Sequence, residues 1–295
     1  MKISVLTPTY NRENLLGRLY QSLIENSKEE IEIEWLIMDD GSTDDTKNLV
    51  HQWKEEKKIS IEYFYQENQG KMKALNNLVE KASGDLIIEC DSDDYFTPNA
   101  FDVIKKEYQN NKQENIYAMC FLKNNQNGQN MGKNFKNQTT TMFDLYFKEG
   151  EDGEKCLVFN ASIRKKYKYE LENNESFITE ARMYHKMDLH YKILCINKPI
   201  MICEYQLDGY SKNIKQQFQE NPYGYYEYFK EIFEHDMRKV KWKKRLYVIK
   251  HYILFTYLTK RKKARKNVKG ITNKILYSIL YMPGMIKTKK QFQQN

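Results

Sequence analysis

The chain has 295 residues, long enough to bury a sizeable core as one large domain or as one domain with an addition. Its five cysteines (Cys90, Cys120, Cys156, Cys195, Cys203) include no CxxC pair and have no His-x-x-x-His nearby, which argues against both a disulfide framework and a zinc site. The net charge of +8 is uneven: from Asp236 onward 18 Lys and Arg face one acid, a net +17 that leaves −9 for residues 1–235.

In chain order, short β-rich runs alternate with helical patterns. The periodicity predicts a strand over Ile3–Thr7, a helix over Glu13–Asn26, a strand over Ile33–Met38, a helix over Thr43–Glu56 and a strand over Ile59–Tyr65. A helix near Lys71–Ala82, a strand over Asp85–Cys90, a helix over Pro98–Asn110 and a strand over Ile116–Leu122 follow. Such alternation argues for a mostly parallel sheet covered by helices. Gly41-Ser42-Thr43-Asp44-Asp45 offers a hydroxyl cap to the second helix, Ser83-Gly84 ends the third, and Thr97-Pro98 gives the fourth a cap followed by proline. Asn124–Gln138 reads as a loop, with a helix over Thr141–Phe147, a strand over Lys155–Phe159, a helix about Phe177–Lys186 and a strand about Ile200–Gln206 beyond it. From Tyr225 the pattern is helical and basic, with an apolar patch over Ile275–Ile286. The Ile3–Leu6 run is too short for a signal-peptide core, and no apolar run approaches the roughly 20 residues that span a bilayer.

Three polar signatures fall at the ends of predicted strands, where open parallel sheets bind ligands. Asp39-Asp40-Gly41-Ser42 can accept from a base N–H or a ribose hydroxyl, or be a simple strand-to-helix turn. Asn68-Gln69-Gly70-Lys71 starts a helix and can hold an anion, though Asn and Gly also mark ordinary turns. Asp91-Ser92-Asp93-Asp94 follows the apolar run Leu86–Ile88, and its three carboxylates repel one another unless a hard cation or open solvent relieves them. His185 and His190, five apart, do not share a helical face and read as structural or exposed. The aromatic positions from Tyr223 to Phe229 read as packing.

Taken together, Thr7-Pro8-Thr9-Tyr10-Asn11-Arg12, DDGSTDD at 39–45, ENQGKMKALN at 67–76 and DSDD at 91–94 resemble the family-2 glycosyltransferases of the GT-A fold. FITEARMYHKMDLHYK at 177–192 and EYQLDGYSKN at 204–213 are similar to a bacterial surface-polysaccharide subgroup. The resemblance implies a nucleotide-sugar-binding half over 1–122, an acceptor-side half over 123–220 and a basic helical region over 221–295. It implies that Thr7, Pro8 and Tyr10 line the base pocket, that Asp40 contacts the base while Asp39 shapes its turn, and that Lys71 lies near the base or diphosphate. Asp91 would hold the ribose or a metal-bound water and Asp93 the metal, Mg²⁺ or Mn²⁺, with Asn68 and Ser92 joining the substrate-binding set. Glu180 would be the general base of an inverting transfer, with Glu175 a nearby competitor.

The implied function is addition of one sugar from a nucleotide diphosphate, UDP by expectation, to a glycan or lipid-linked glycan acceptor. No Trp follows an Arg, so the Gln-x-x-Arg-Trp signature of processive members is absent, and Gln206-Leu207-Asp208-Gly209 stands in that region. The rivals are a nucleotidyltransferase or dinucleotide-dependent oxidoreductase, disfavoured because no GxGxxG follows the first strand, and a non-enzymatic adaptor acting through the basic tail. The tail's cations and aromatics suit anionic lipid or nucleic acid, or a solvated hairpin with a packed aromatic face. A lipid-carried acceptor favours the membrane, so the expected place is cytoplasmic, at the inner membrane face, with no nucleic-acid partner.

Overall fold

The structure, a computed structural model, describes residues 1–111, 113–204 and 214–292; the Gln206-Leu207-Asp208-Gly209 segment and the end of the Ile200–Gln206 expectation lie outside the described residues. Two compact units interleave along the sequence. One takes Met1–Thr141, Glu151–Tyr169 and His190–Leu207; the other takes Met142–Gly150, Glu170–Leu189 and Asp208–Asn295.

The first unit is a sheet with flanking helices. Its elements are β1 (Lys2–Thr9), α1 (Glu13–Asn26), β2 (Glu32–Asp39), α2 (Thr46–Glu56), β3 (Ser60–Tyr65), α3 (Lys71–Lys81), β4 (Leu86–Glu89) and β5 (Tyr95–Phe96). They continue with α4 (Ala100–Asn110), β6 (Ile116–Asn124), β7 (Thr139–Thr140), β8 (Lys155–Asn160), α5 (Ala161–Arg164) and β9 (Lys192–Ile202). The described strands run in the order β3-β2-β1-β4-β8-β6-β9-β5, with β7 on β9. From β3 to β4 every pairing is parallel, as expected. Beyond β4 the sheet is mixed, because β8 runs antiparallel to both β4 and β6 while β9 runs parallel to β6.

Helix α1 buries Leu16, Leu19, Tyr20 and Leu23, a helical stripe aimed at the sheet. Tyr20 stacks on Trp53 of α2 with ring centroids 4.5 Å apart, Trp53 stacks on Trp35, and the Trp35 indole donates to Thr7 Oγ1 at 2.9 Å. On the opposite face Glu34 is buried. It accepts from the Ser83 N–H and hydroxyl at 2.6 Å each, from Ser4, and pairs with Lys2 at 3.0 Å. Burial by itself would raise the Glu34 carboxyl, but Ser4, Ser83 and Lys2 outweigh it and bring it down to about 2.

Several element boundaries differ from expectation for local reasons. Helix α2 starts three residues late because Asn11 Oδ1 holds the Thr43 N–H at 2.8 Å, and Asp44 rather than a hydroxyl takes the Thr46 N–H, at 3.1 Å. Helix α4 starts at Ala100, not Pro98, because Asn99 sits at φ 59. The strand expected about Ile200 begins at Lys192 and ends at Ile202.

The second unit holds a π-helical turn over Asp144–Glu149, where an α-helix was expected, with α6 (Ala181–Asp188), α7 (Ile214–Glu220), α8 (Pro222–Glu231), α9 (Trp242–Leu258) and α10 (Ile271–Phe292). Helix α6 starts four residues after the expected Phe177, whose N–H instead donates to Asn221 Oδ1 at 3.0 Å. His185 is buried against Phe143, Phe147, Tyr228 and His235, a structural role as expected. No described helix is long and apolar enough to cross a membrane.

Glu34 yields a signed prediction. Its depressed carboxyl stabilises the fold above the unfolded value near 4.5, and that contribution is lost as pH falls through the folded value of about 2. Glu34→Gln is therefore expected to cost about 2 kcal/mol at pH 7, and less at pH 3, by chemical denaturation of the two proteins side by side.

Candidate active site

Four chain segments leave the C-terminal ends of β1 to β4, and hydrogen bonds join them. From β1, the Asn11 N–H donates to Ser42 Oγ at 2.9 Å, tying the first segment to the second. After β2, Asp39 takes the Ser42 N–H at 2.7 Å and the Tyr63 hydroxyl at 2.6 Å. Burial, and then Asp39, pushes the Tyr63 phenol well up. The buried Asp40 accepts from Gln66 Nε2 at 2.7 Å, the Gln69 N–H at 2.9 Å and the Gly70 N–H at 2.8 Å, which ties the second segment to the third. Gly41 and Gly70 both have left-handed φ, near 90°, and a Cβ on Gly41 would meet the Asn68 nitrogen at 3.0 Å. At the start of α3, Lys71 reaches Asp91 at 2.8 Å and so joins the third segment to the fourth.

The acidic turn after β4 treats its carboxylates differently. Asp94 is buried and pairs with Lys123 Nζ at 2.7 Å, and Glu154 lies 3.5 Å from the same nitrogen. Burial would lower the Lys123 ammonium, but Asp94 and Glu154 outweigh it and hold it protonated well above its ordinary value. Burial likewise pushes the Asp91 carboxyl up, and Lys71 followed by Lys123 brings it below its ordinary value. Asp93 is pushed up to about 6, first by burial and then by Asp91 and Asp94, with the Arg12 charge acting weakly against them. Two of the three carboxylates thus have a lysine in contact, and Asp93 carries the repulsion that is left.

That donor set fits a divalent cation. Among the described residues no group of three or more His, Cys, Asp or Glu is arranged as a metal cage. A cation on Asp93 and Asp91 would therefore take its other oxygens from water and a phosphate-bearing ligand, the usual mode for Mg²⁺.

Of the other expected residues, Tyr10 and Asn68 are exposed beside these segments, while Pro8 and Ser92 are buried within them. Thr7 is fully buried with its hydroxyl taken by Trp35. A cavity of about 420 Å³ lined by Tyr108, Asn111, Glu114 and Asn160 sits at the Leu86 end of β4, away from Asp91. Glu180, in the second unit, precedes the first residue of α6. Its competitor Glu175 accepts the Tyr223 and Gly224 N–H groups at 2.7 Å each and so caps the N-terminus of α8.

Three supports escaped the sequence reading. Lys123 is the lone cation that ends the apolar run of β6, and only that incongruity hinted at a buried partner. At the end of β4, Glu89 receives Arg164 Nε at 2.7 Å and the Tyr169 hydroxyl at 2.5 Å. In α6 the buried Arg182 binds Glu231 through Nε at 3.0 Å and a terminal nitrogen at 2.9 Å, which fixes α6 to α8 two residues from Glu180.

Residues 4–169 match the family described as glycosyl transferase family 2. A glycosyltransferase of Mycoplasma genitalium is 32% identical over 130 residues, covering 42% of this chain and 43% of that protein. The GalNAc(5)-diNAcBac-PP-undecaprenol beta-1,3-glucosyltransferase of Campylobacter jejuni is 27% identical over 181 residues, covering 59% of this chain and 57% of that protein. The chain thus spans less than two thirds of the length of these curated relatives. Among solved structures, Staphylococcus aureus TarS 1-349 in complex with UDP-GlcNAc aligns with a TM-score of 0.62 at 17% identity, over 100% of this chain and 92% of that one. The mannosyltransferase PcManGT of Pyrobaculum calidifontis with GDP-Man and Mn²⁺ aligns with a TM-score of 0.58 at 14% identity, over 99% and 88%. These two likenesses establish the fold, a mixed α/β sheet of the GT-A kind with flanking helices.

The lysine that balances Asp94 is testable on its own. Lys123→Met leaves a carboxylate unpaired in the core and is expected to lower the unfolding free energy by about 3–5 kcal/mol, and adding Asp94→Asn should recover most of that loss in the same denaturation experiment.

Proposed function

Because this chain belongs to glycosyl transferase family 2, we propose that it moves a single hexose-type sugar from a nucleotide diphosphate, UDP in our reading, to a hydroxyl of a glycan or lipid-linked glycan, inverting the anomeric carbon. The observation that carries this reading is the continuous chain of contacts Asp40–Gly70–Lys71–Asp91, which ends beside an Asp93 without a lysine of its own among the described residues.

In this reading residues 1–122 take the donor, 123–220 the acceptor, and 221–295 a membrane surface at the inner face of the cell membrane. Thr7, Pro8 and Tyr10 belong to the base-binding segment, Thr7 acting from the core by seating β1 on Trp35. Asp39 and Asp40 shape the turn beneath the nucleoside, and Asn68 lines that turn where it packs on Gly41. Lys71 holds Asp91 and lies near the diphosphate, and Ser92 keeps the acidic turn seated. A divalent cation, Mg²⁺ or Mn²⁺, would be held by Asp93 directly and by Asp91 directly or through water, where it offsets the charge on the departing diphosphate.

Transfer breaks the bond from the anomeric carbon to the diphosphate oxygen, whose electron pair leaves with the nucleotide, and forms a bond to the acceptor oxygen. The acceptor proton passes to the Glu180 carboxylate. Glu175 is set aside as the base because its two oxygens already cap α8. The C. jejuni relative, by its name, acts on an undecaprenol-linked glycan, which supports a lipid-linked acceptor here. The two solved neighbours hold a UDP-sugar and a GDP-sugar, so the base is the part of this reading most open to test.

Asp93→Ala and Glu180→Ala, made separately, are each expected to lower donor-dependent transfer by about 100-fold or more with the unfolding midpoint retained. UDP with Mn²⁺ should raise the melting temperature of wild type and Glu180→Ala but not of Asp93→Ala. Transfer that survives both substitutions would contradict the assignment, and a hydrolysis screen across sugar nucleotides identifies the donor.

A further inference from the structure

Helix α10 packs one side against α9 and carries a stripe of large apolar side chains on the other. Asn273, Tyr277 and Thr288 are buried along one side. There the Tyr277 ring lies 5.9 Å from that of Tyr252 on α9, and a Cβ on Gly284 would meet Ile253 at 2.9 Å. On the other side stand Ile271, Ile275, Ile279, Met282 and Ile286, all exposed, with Ile271 at 81% and Ile279 and Met282 at 64%. At about 100° per residue these five fall within an arc of roughly 80°, opposite the packed side. Scattered exposed apolar residues are ordinary; a continuous stripe over four turns of one helix is a surface for something apolar.

The charges around the stripe select the occupant. Lys262, Lys263 and Lys266 are exposed in the connection before α10, and Arg265 of that connection donates to Ser278 Oγ at 2.9 Å, which holds it against the helix beside the stripe. Lys274, Lys287 and Lys289 are exposed on α10 itself. Pairing the stripe with a second copy would press two such cationic borders together. Nucleic acid would use the cations and leave five large apolar side chains in water. An anionic bilayer takes both, cations at the headgroups and isoleucines among the acyl chains.

We infer that α10 lies flat on an anionic lipid surface, with Ile271, Ile275, Ile279, Met282 and Ile286 inserted below the headgroups and the flanking lysines at their level. This deepens the lipid-linked acceptor reading and rests on it for its purpose, not for its geometry. No described helix is apolar and long enough to span, so the contact is interfacial.

The test uses the full chain in vesicle sedimentation, with phosphatidylcholine alone and mixed with phosphatidylglycerol. Wild type is expected to partition about tenfold or more into the anionic vesicles and to be released by salt. Ile275→Asn with Ile279→Asn, both at exposed positions, should keep the unfolding midpoint and lose about tenfold or more of that partition. In Met282→Trp, tryptophan emission should shift to the blue on anionic vesicles. Undiminished binding by the double variant, equal binding to the two vesicle types, a wild-type dimer that the double variant dissolves, or oligonucleotide binding in place of vesicle binding would each overturn the inference. The melting shift with UDP and Mn²⁺ separates the two readings. A wild type that shows the shift but does not bind anionic vesicles refutes only the α10 surface, and a wild type that binds them without any shift refutes only the donor reading.

Discussion

Three carboxylates in four residues at the end of a buried strand repel one another, and the first unit is arranged around that repulsion. Lys71 comes from the start of α3 to Asp91, and Lys123 from the end of β6 to Asp94. Asp93 keeps a carboxyl pushed up to about 6 because burial and both neighbours outweigh a backbone hydrogen bond and the Arg12 charge that act the other way. A strand end so disposed favours added positive charge, and its incomplete ligand set favours a cation that arrives with phosphate oxygens. Asp40 extends the same logic to the neighbouring turn, since its carboxylate fixes the N–H groups of Gln69 and Gly70 and so sets where Lys71 begins.

Further buried charged groups, each with hydrogen-bonded partners, hold elements in place within each unit. Glu89, two residues before Asp91, is locked by Arg164 and Tyr169, which anchors β4 where the acidic turn leaves it. In the second unit Arg182 and Glu175 do comparable work, one clamping α6 to Glu231 of α8 and the other capping α8. Removing one partner of such a pair costs far more than the pair contributes, because the remaining charge stays buried.

Much of this was legible in the sequence where the signal is local. The parallel strands β1 to β4 and helices α1 and α3 follow from apolar periodicity, and the Asp91–Asp94 cluster announces itself by composition. What was not legible depends on partners distant in the chain. Asp94 was an unassigned carboxylate until Lys123, 29 residues on, came beside it, and the hold of Glu175 on the start of α8, 48 residues away, had no local sign. Helix starts at Thr46 and Ala100 were missed because Asn11 and the left-handed Asn99 override the caps that the local sequence offers. The antiparallel insertion of β8 between β4 and β6 has no periodic signature at all. Charge in the tail was plain from the sequence, whereas the outward stripe of α10 needed the packing of its other face on α9 to be known.

We propose that the acidic turn forms half of a metal site and that the nucleotide diphosphate supplies the rest. Electron paramagnetic resonance of Mn²⁺ titrated into the protein, with and without UDP, measures this directly. Weak Mn²⁺ binding alone, tightened about tenfold or more by UDP and abolished in Asp93→Asn, is the expected result. Tight Mn²⁺ binding that ignores UDP, or binding unchanged in Asp93→Asn, would contradict it.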